Sequence, residues 1–247
     1  MPFSIGTLSS MSQSTTLLPY HVALIPDGNR RWATARGLHP WDGHEAGAKN
    51  TENIIEKARE LGIRVFSFWG SSIENLTKRP FEEKRALLRL YEEYFTRMIE
   101  NESVHRDRAR IRMIGHWREQ FPETLKTVLI RCEEETKNYD AYALNFFLAY
   151  SGNDDMLEAV RTLLASGVSP NDISPETLKR ALMTRDLPPV DYLIRTGGEP
   201  HLSAGFMMWD VADAQLYFSD TLYPDFDANA FAESIEEYTR RARRFGK

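Results

Sequence analysis

Residues that could bind an anion stand directly after an apolar run near the start of the chain. The run HVALI is followed by PDGNRRWA, and together they cover residues 21–33. Gly28 allows the backbone to approach a ligand closely, and Arg30 or Arg31 can neutralise its charge. The Asp27 carboxylate could hold a divalent cation against the same anion. The arrangement suits a phosphate-type ligand, but taken alone the motif is more often an Asp-Gly turn in which Asp27 caps a helix.

Two other polar segments offer hydrogen-bonding groups. In SSIENLTKRP, Ser72 and Asn75 could bind an anionic leaving group and Arg79 adds charge. The alternative for this segment is a capped turn before a helix that begins at Pro80. In WDGHEAG, His44 could orient a diphosphate or accept a proton, and the alternative is a histidine packed at a helix start. Taken alone, neither segment decides between these interpretations.

The segment RTGGEPHLS is a further candidate for anion binding. Arg195 follows an apolar run, two glycines expose backbone amides, and Ser203 lies eight residues after the arginine. These groups could form a second cradle for a diphosphate. A glycine turn beside a surface arginine is the alternative.

Apolar runs alternate with amphipathic patterns along the chain, and these must position the polar segments. Strands are predicted at 21–25, 63–69, 110–114, 142–150, 190–194 and 214–218. Apolar spacings of three and four predict helices at 43–61, 80–100, 122–138, 153–165, 175–184 and 227–244, and a short helix could open at Asn29. The alternation predicts an α/β fold with a mostly parallel central sheet of about six strands, flanked by helices. Because ligands bind beyond the carboxyl ends of such strands, the polar segments should gather at one edge.

The composition is that of one globular domain. The chain has 247 residues, of which 42% are hydrophobic and 27% charged. Its net charge of −5 gives no overall positive field, so nucleic acid is not an expected partner. A single cysteine, Cys132, fits a reducing compartment, and no apolar run approaches the ~20 residues that span a bilayer. We expect a flexible extension over residues 1–20 and one domain over 21–247, in the cytoplasm.

These motifs resemble the cis-prenyltransferase family of undecaprenyl diphosphate synthase-like enzymes. The matching segments are HVALIPDGNRRWA…GHEAG, SSIEN…RP, IRTGGE, LYFSDTLYPDF and RRARRFG, in family order over residues 21–246. The resemblance implies a homodimeric, Mg²⁺-dependent enzyme that condenses isopentenyl diphosphate with an allylic prenyl diphosphate and forms cis double bonds. It also implies an apolar product tunnel, which stripes in 81–99 and 142–149 could line, although such stripes are normally core. A lipid product could bring the protein to a membrane surface.

The resemblance also implies roles for individual residues. Asp27, His44 and Asn75 would be catalytic, and Asp27 would bind Mg²⁺, with Asp213 as a second candidate ligand. The residues expected to bind substrate are Gly28, Asn29, Arg30, Arg31, Trp32, His44, Ser72, Asn75, Arg79, Arg195, His201, Ser203, Arg244 and Gly246. The first four would hold the allylic diphosphate. The last five would hold isopentenyl diphosphate, the two tail residues coming from a partner subunit.

Some positions depart from the family pattern. The usual AELYF reads AQLYF, so Gln215 replaces a carboxylate implicated in Mg²⁺ binding, and Asp210 or Asp213 could compensate. His201 stands where the family has a second arginine. Two alternatives within the family are an enzyme that makes a short product and one that joins two allylic diphosphates. A non-catalytic partner subunit is less favoured, because the chain retains the Asp-Gly-Asn cluster as well as the terminal Arg-x-Gly.

Overall fold

A computed structural model describes residues 18–241 of the chain. Most of the expected extension over residues 1–20 lies outside the described residues, and so do Arg244 and Gly246. No helix within 18–241 is long and apolar enough to cross a bilayer.

The centre of the fold is a six-stranded sheet. The strands are β1 (His21–Ile25), β2 (Val65–Trp69), β3 (Ala109–Ile114), β4 (Tyr142–Phe147), β5 (Tyr192–Arg195) and β6 (Gln215–Phe218). Their order is β3-β4-β2-β1-β5-β6, and each of these neighbouring pairs is parallel. The predicted α/β fold is confirmed, and the described sheet is wholly rather than mostly parallel.

Helices cover both faces of this sheet. They are α1 (Asn29–Thr34), α2 (Pro40–Glu60), α3 (Ile73–Lys78), α4 (Phe81–Glu100), α5 (Glu102–Arg106), α6 (Trp117–Gln120), α7 (Glu123–Thr136), α8 (Gly152–Ala165), α9 (Pro175–Ala181) and α10 (Ala228–Arg240). The short helices α3, α5 and α6 were not predicted, because so few turns show no periodicity. Helix α2 begins earlier than predicted, since His39 and Asp42 form a capping box around Pro40. Strand β4 ends earlier, where the backbone turns at Ala149 with a φ of 52°.

Alternate side chains of the strands face two different cores. Val22 and Leu24 of β1 belong to the larger core, which α2, α4 and α10 cover. Ala23 and Ile25 belong to a smaller core on the other face, with Phe206. The polar segments after β1, β2 and β5 meet at the carboxyl edge of the sheet, as predicted for a parallel sheet.

Candidate active site

A cavity of about 810 Å³, here called the main cavity, lies between α2 and α4 over the sheet. Its volume falls within the ~300–1,000 Å³ range of small-molecule sites. The end nearest the carboxyl edge is polar, with Asp27, Gly28, Asn29, Arg30, Arg31, His44, Asn75, Arg79 and Ser203. The interior is apolar, with Phe68, Leu87, Leu90, Tyr91, Tyr94, Phe95, Phe146 and Leu148. One cavity thus joins a charged mouth to a hydrocarbon-like interior.

The turn between β1 and α1 is held close to this mouth by glycines. Gly28 has a φ of 114°, and a Cβ there would lie 2.9 Å from the Cα of Leu222. Helix α1 packs against α2 at Gly43 and Gly47, where an added Cβ would clash with Asn29. The Asn29 Oδ1 atom is buried without a hydrogen-bond partner. Substitution of these glycines would therefore displace the segment that carries Asp27 and the paired arginines.

The Asp27 cluster consists of Asp27, Arg31, Arg195 and His201. Arg31 Nη2 donates to Asp27 Oδ1 at 3.2 Å, and Arg195 Nη2 donates to Asp27 Oδ2 at 2.7 Å. Arg195 Nη1 also donates to the His201 carbonyl oxygen at 2.6 Å. The Asp27 side chain is 32% exposed, whereas that of Arg195 is 4% exposed. The carboxylate therefore faces the cavity while one of its arginines is fixed behind it.

The Glu83 cluster lies across the mouth and consists of Glu83, Arg30, His44 and Arg79. Arg79 Nη1 donates to Glu83 Oε1 at 2.7 Å and to His44 Nε2 at 2.6 Å. Arg30 Nε lies 3.5 Å from the same carboxylate oxygen. Glu83 is only 4% exposed, so the acid is hidden beneath its cations. These contacts join α1, α2 and α4 where the cavity opens.

His44 is neutral in this arrangement. Burial, and then the charges of Arg79 and Arg30, lower its pKa to about 3 from the ordinary value of 6.5. Because arginine can only donate, His44 Nε2 must accept the hydrogen bond, and Nδ1 carries the ring hydrogen. A histidine with so low a pKa is a poor proton acceptor at neutral pH. The geometry favours the orienting role among the two that the sequence left open.

Four of the described residues expected to bind substrate do not line the main cavity: Trp32, Ser72, Arg195 and His201. Arg195 and His201 meet behind Asp27, as described above. Trp32 Nε1 donates instead to Asp225 Oδ1 at 2.7 Å. Ser72 caps α3, where its hydroxyl oxygen accepts from the Asn75 backbone at 2.9 Å. The neighbouring Ser71 lines the cavity in its place. The motif therefore marks a turn at the cavity, and Ser71 is its serine that faces the cavity.

Asp213, the second candidate metal ligand, does not meet Asp27 within one chain. Gln215 pairs with Tyr192 of β5, which pairs with Val22 of β1. Val22 precedes Asp27 by five residues, which is about 16 Å of strand at ~3.3 Å per residue. Asp213 is exposed at the amino edge of the sheet, opposite the cavity mouth.

The remaining acids allow a test of whether a metal ion would fit. Among residues 18–241, Asp27 is the one carboxylate that lines the main cavity, and no group of three or more His, Cys, Asp or Glu could hold a metal. Asp210 is buried and ion-paired with Lys179. Mg²⁺ is usually bound by one or two carboxylates together with substrate phosphates and waters. The donor set fits an ion that binds together with a diphosphate.

Glu83 is the residue of the mouth that the motifs missed. It follows Arg79 by four residues and precedes Leu87 by four, so it occupies the apolar stripe of α4. A charged residue on the buried face of an amphipathic helix needs a partner. The position of Glu83 in this apolar stripe could therefore have identified it from the sequence.

Sequence and structure comparisons relate the chain to prenyl diphosphate synthases. A prenyltransferase family model described as "Putative undecaprenyl diphosphate synthase" matches residues 25–246. An isoprenyl transferase of Aquifex aeolicus is 40% identical over 230 residues, covering 93% of this chain and 96% of that protein. A tritrans,polycis-undecaprenyl-diphosphate synthase (geranylgeranyl-diphosphate specific) of Thermococcus kodakarensis is 39% identical, covering 93% and 88%. The crystal structure of lavandulyl diphosphate synthase from Lavandula x intermedia with dimethylallyl diphosphate has a TM-score of 0.87 and 32% identity, covering 93% and 99%.

Proposed function

Because the chain belongs to the undecaprenyl diphosphate synthase family of prenyltransferases, we propose that the main cavity binds two diphosphates at its mouth and hydrocarbon in its interior. The enzyme is a transferase that elongates prenyl diphosphates by cis condensation. The observation that carries the proposal is the division of one cavity into a mouth rich in arginine and an aromatic and aliphatic interior. Prenyl diphosphates have the same two halves.

The allylic diphosphate binds to the turn over Gly28 and Asn29 and to Arg30 and Arg31. The Asp27 and Glu83 clusters contain four arginines and two carboxylates, so with His44 neutral they carry a net charge of 4 − 2 = +2. This excess attracts an anion, and guanidinium groups bind phosphate oxygens in a bidentate manner.

Isopentenyl diphosphate binds on the other side of the mouth, to Arg195, His201 and Ser203. Arg195 is held by Asp27 and by the His201 carbonyl, so its guanidinium is oriented before the ligand arrives. Arg244 and Gly246 complete this site from the partner subunit of a homodimer. The outer strand β6 exposes Leu216 and Phe218, which suits a covered interface.

Asp27 is the residue that would hold Mg²⁺ against the substrate diphosphates. The ion, when bound, neutralises charge on the diphosphate that leaves the allylic carbon. Asn75 donates a hydrogen bond to this leaving group, and His44 keeps the Arg79 guanidinium directed at it. The apolar interior excludes water from the electron-deficient allylic carbon while the isopentenyl double bond attacks. The prenyl product then draws the cytoplasmic protein to a membrane surface.

The direct test uses the purified full chain with Mg²⁺, isopentenyl diphosphate and C5, C10, C15 or C20 allylic diphosphates. The proposal predicts longer prenyl diphosphates whose new double bonds are cis, and loss of product when the metal is chelated. Absence of condensation with every primer would refute it. A parallel reaction without isopentenyl diphosphate tests whether two allylic diphosphates are joined instead, an alternative left open by the departures from the family pattern at His201 and Gln215.

A further inference from the structure

The segment that begins at Ser203 contains two strained turns. The first turn runs from Ser203 to Phe206 and is closed by the Phe206 N–H, which donates to the Ser203 carbonyl oxygen at 2.9 Å. Its central residues, Ala204 and Gly205, have φ values of 46° and 63°, and Ala204 has a ψ of 30°. These angles are typical of a type I′ turn, in which both central residues are left-handed. Ala204 therefore occupies a position that glycine, asparagine or aspartate would adopt more easily.

The second turn overlaps the first and runs from Gly205 to Met208. The Met208 N–H donates to the Gly205 carbonyl oxygen at 3.0 Å. Phe206 has a φ of −47° and a ψ of 116°, and Met207 follows with a φ of 48°, as in a type II turn. The position of Met207 in such a turn is normally taken by glycine. Because the left-handed conformation is disfavoured by roughly tenfold in a non-glycine residue, Ala204 and Met207 both bias the segment towards another conformation.

Phe206 lies between these two strained residues and holds the segment in place. Its side chain is fully buried in the smaller core. The ring makes edge-to-face contacts with Phe147 and Tyr150, at centroid distances of 4.9 and 6.4 Å, and stacks on Trp69 at 6.1 Å. Trp69 and Phe147 are register partners on β2 and β4, so the carboxyl ends of two strands form most of this aromatic cage. Burial of Phe206 in the aromatic cage therefore offsets the strain on either side of it.

The position of the Ser203 hydroxyl depends on this anchor. Ser203 lines the main cavity, and its hydroxyl makes no hydrogen bond to another residue among 18–241. The backbone alone therefore determines where the hydroxyl lies. If Phe206 left the aromatic cage, Ala204 and Met207 could return to negative φ values. Rotation of the adjoining peptide groups would then turn Ser203 away from the cavity.

We propose that Phe206 is a positioning residue for isopentenyl diphosphate, because its burial holds the two strained turns that present Ser203 to the ligand. The inference rests on the proposed function, in which Ser203 binds this substrate. Phe206 does not itself line the main cavity, so it acts on the ligand through Ser203. The strain has a specific consequence, since a substitution that relieves it should make the anchor less necessary. Ala204→Gly is such a substitution, because glycine adopts a positive φ without a steric penalty.

Steady-state kinetics of the purified full chain test this relation between anchor and strain. Phe206→Leu, or Phe206→Met should the leucine variant not fold, should raise the KM for isopentenyl diphosphate about tenfold, the effect of losing one hydrogen bond to a charged group. The kcat and the KM for the allylic primer should stay close to wild type. Ala204→Gly alone should change none of these values. Combined with Phe206→Leu, it should bring the KM for isopentenyl diphosphate back to within about threefold of wild type, because the bias at residue 204 is removed.

Two control variants separate positioning from a general loss of packing. Ala214→Gly lies in the same segment at a residue without a positive φ, and it should not rescue Phe206→Leu. Phe231→Leu alters a buried phenylalanine of the larger core and should leave the KM for isopentenyl diphosphate unchanged. An unchanged KM in Phe206→Leu, or a raised KM that Ala204→Gly does not lower, would overturn the proposal.

Hydrogen exchange of the free protein tests the same anchor without requiring turnover. The backbone amides of residues 206 and 208 close the two turns, so they should exchange about tenfold faster in Phe206→Leu, and Ala204→Gly should slow them again. Equal exchange in wild type and Phe206→Leu would overturn the proposal. If wild type forms no product with any primer, the proposed function fails, and the exchange rates still decide whether Phe206 holds the turns.

Discussion

The Asp27 cluster and the Glu83 cluster use the same groups in opposite ways. Each places one carboxylate between two arginines at the cavity mouth. In the Asp27 cluster the acid is a third exposed and one arginine is buried. In the Glu83 cluster the acid is buried, and Arg30 is more than half exposed. An exposed carboxylate can exchange an arginine for a metal ion, whereas a buried one can only hold its arginines in place. The two similar ion-pair clusters therefore predict that Asp27 is a metal ligand and that Glu83 is a scaffold that holds its arginines in position.

The largest difference should appear in turnover. Asp27→Asn keeps a hydrogen-bond acceptor for Arg195 but removes the charge that would hold Mg²⁺. We expect turnover to fall on the order of 10²-fold or more, as for the loss of one positioned electrostatic group. The control is Asp225→Asn, a surface acid near the same turn that lies outside the cavity lining. Steady-state rates at saturating substrates measure the effect, and a loss of less than a few-fold would refute the role given to Asp27.

The free energy of unfolding should depend more on Glu83 than on Asp27, the opposite of the order expected for turnover. Glu83→Gln leaves Arg79 and Arg30 without a charged partner, and breaking buried ion pairs often costs ~3–5 kcal/mol. We expect a loss of about 2 kcal/mol in the free energy of unfolding, since this cluster opens towards solvent. Urea denaturation measures it, with the exposed neighbour variant Glu82→Gln as the matched control. Equal stability of the two variants would mean that Glu83 is not a scaffold.

The Asp27 cluster also holds Arg195, at the proposed isopentenyl diphosphate site. If the tail completes this site across a dimer, removal of residues 243–247 should raise the KM for isopentenyl diphosphate about tenfold, because the loss of one charge-assisted hydrogen bond is worth ~1.5 kcal/mol. The KM for the allylic primer should stay within twofold. Removal of Lys247 alone is the control, and equal changes in the two KM values would count against a tail specific for one substrate.

A smaller effect should follow from the neutral histidine of the Glu83 cluster. The folded pKa of His44 is about 3, below the 6.5 of the unfolded chain, so acid favours the unfolded state. The contribution of this group is present above pH 6.5 and is lost as pH falls. Between pH 7 and 5.5 we expect it to reduce the free energy of unfolding by about 1 kcal/mol. Urea denaturation at several pH values measures the free energy of unfolding, which should fall less steeply with decreasing pH in His44→Gln than in wild type. An equal dependence on pH in the two proteins would contradict this assignment.

Sequence patterns predicted the frame of the molecule better than the directions of its side chains. The parallel sheet followed from apolar runs such as 142–150, and the polar turns after β1, β2 and β5 came together because parallel strands share a carboxyl edge. Ser72 was named as a binding residue although its hydroxyl caps α3, because a turn motif does not reveal which hydroxyl caps the helix. Asp213 looked close to the site only along the chain, since strand register decides at which edge a residue lies. Glu83 was overlooked because its role depends on contacts between three separate helices.

The most direct test of the contrast between the two acids is the dependence of activity on Mg²⁺ concentration. Rates are measured for wild type, Asp27→Asn and Glu83→Gln over a range of Mg²⁺ at fixed substrate concentrations. If Asp27 is the metal ligand and Glu83 the scaffold, the half-activating concentration should rise at least tenfold in Asp27→Asn, about 1.4 kcal/mol of metal affinity, and stay within twofold of wild type in Glu83→Gln. An unchanged value in Asp27→Asn, or an equal rise in the two variants, would contradict the account.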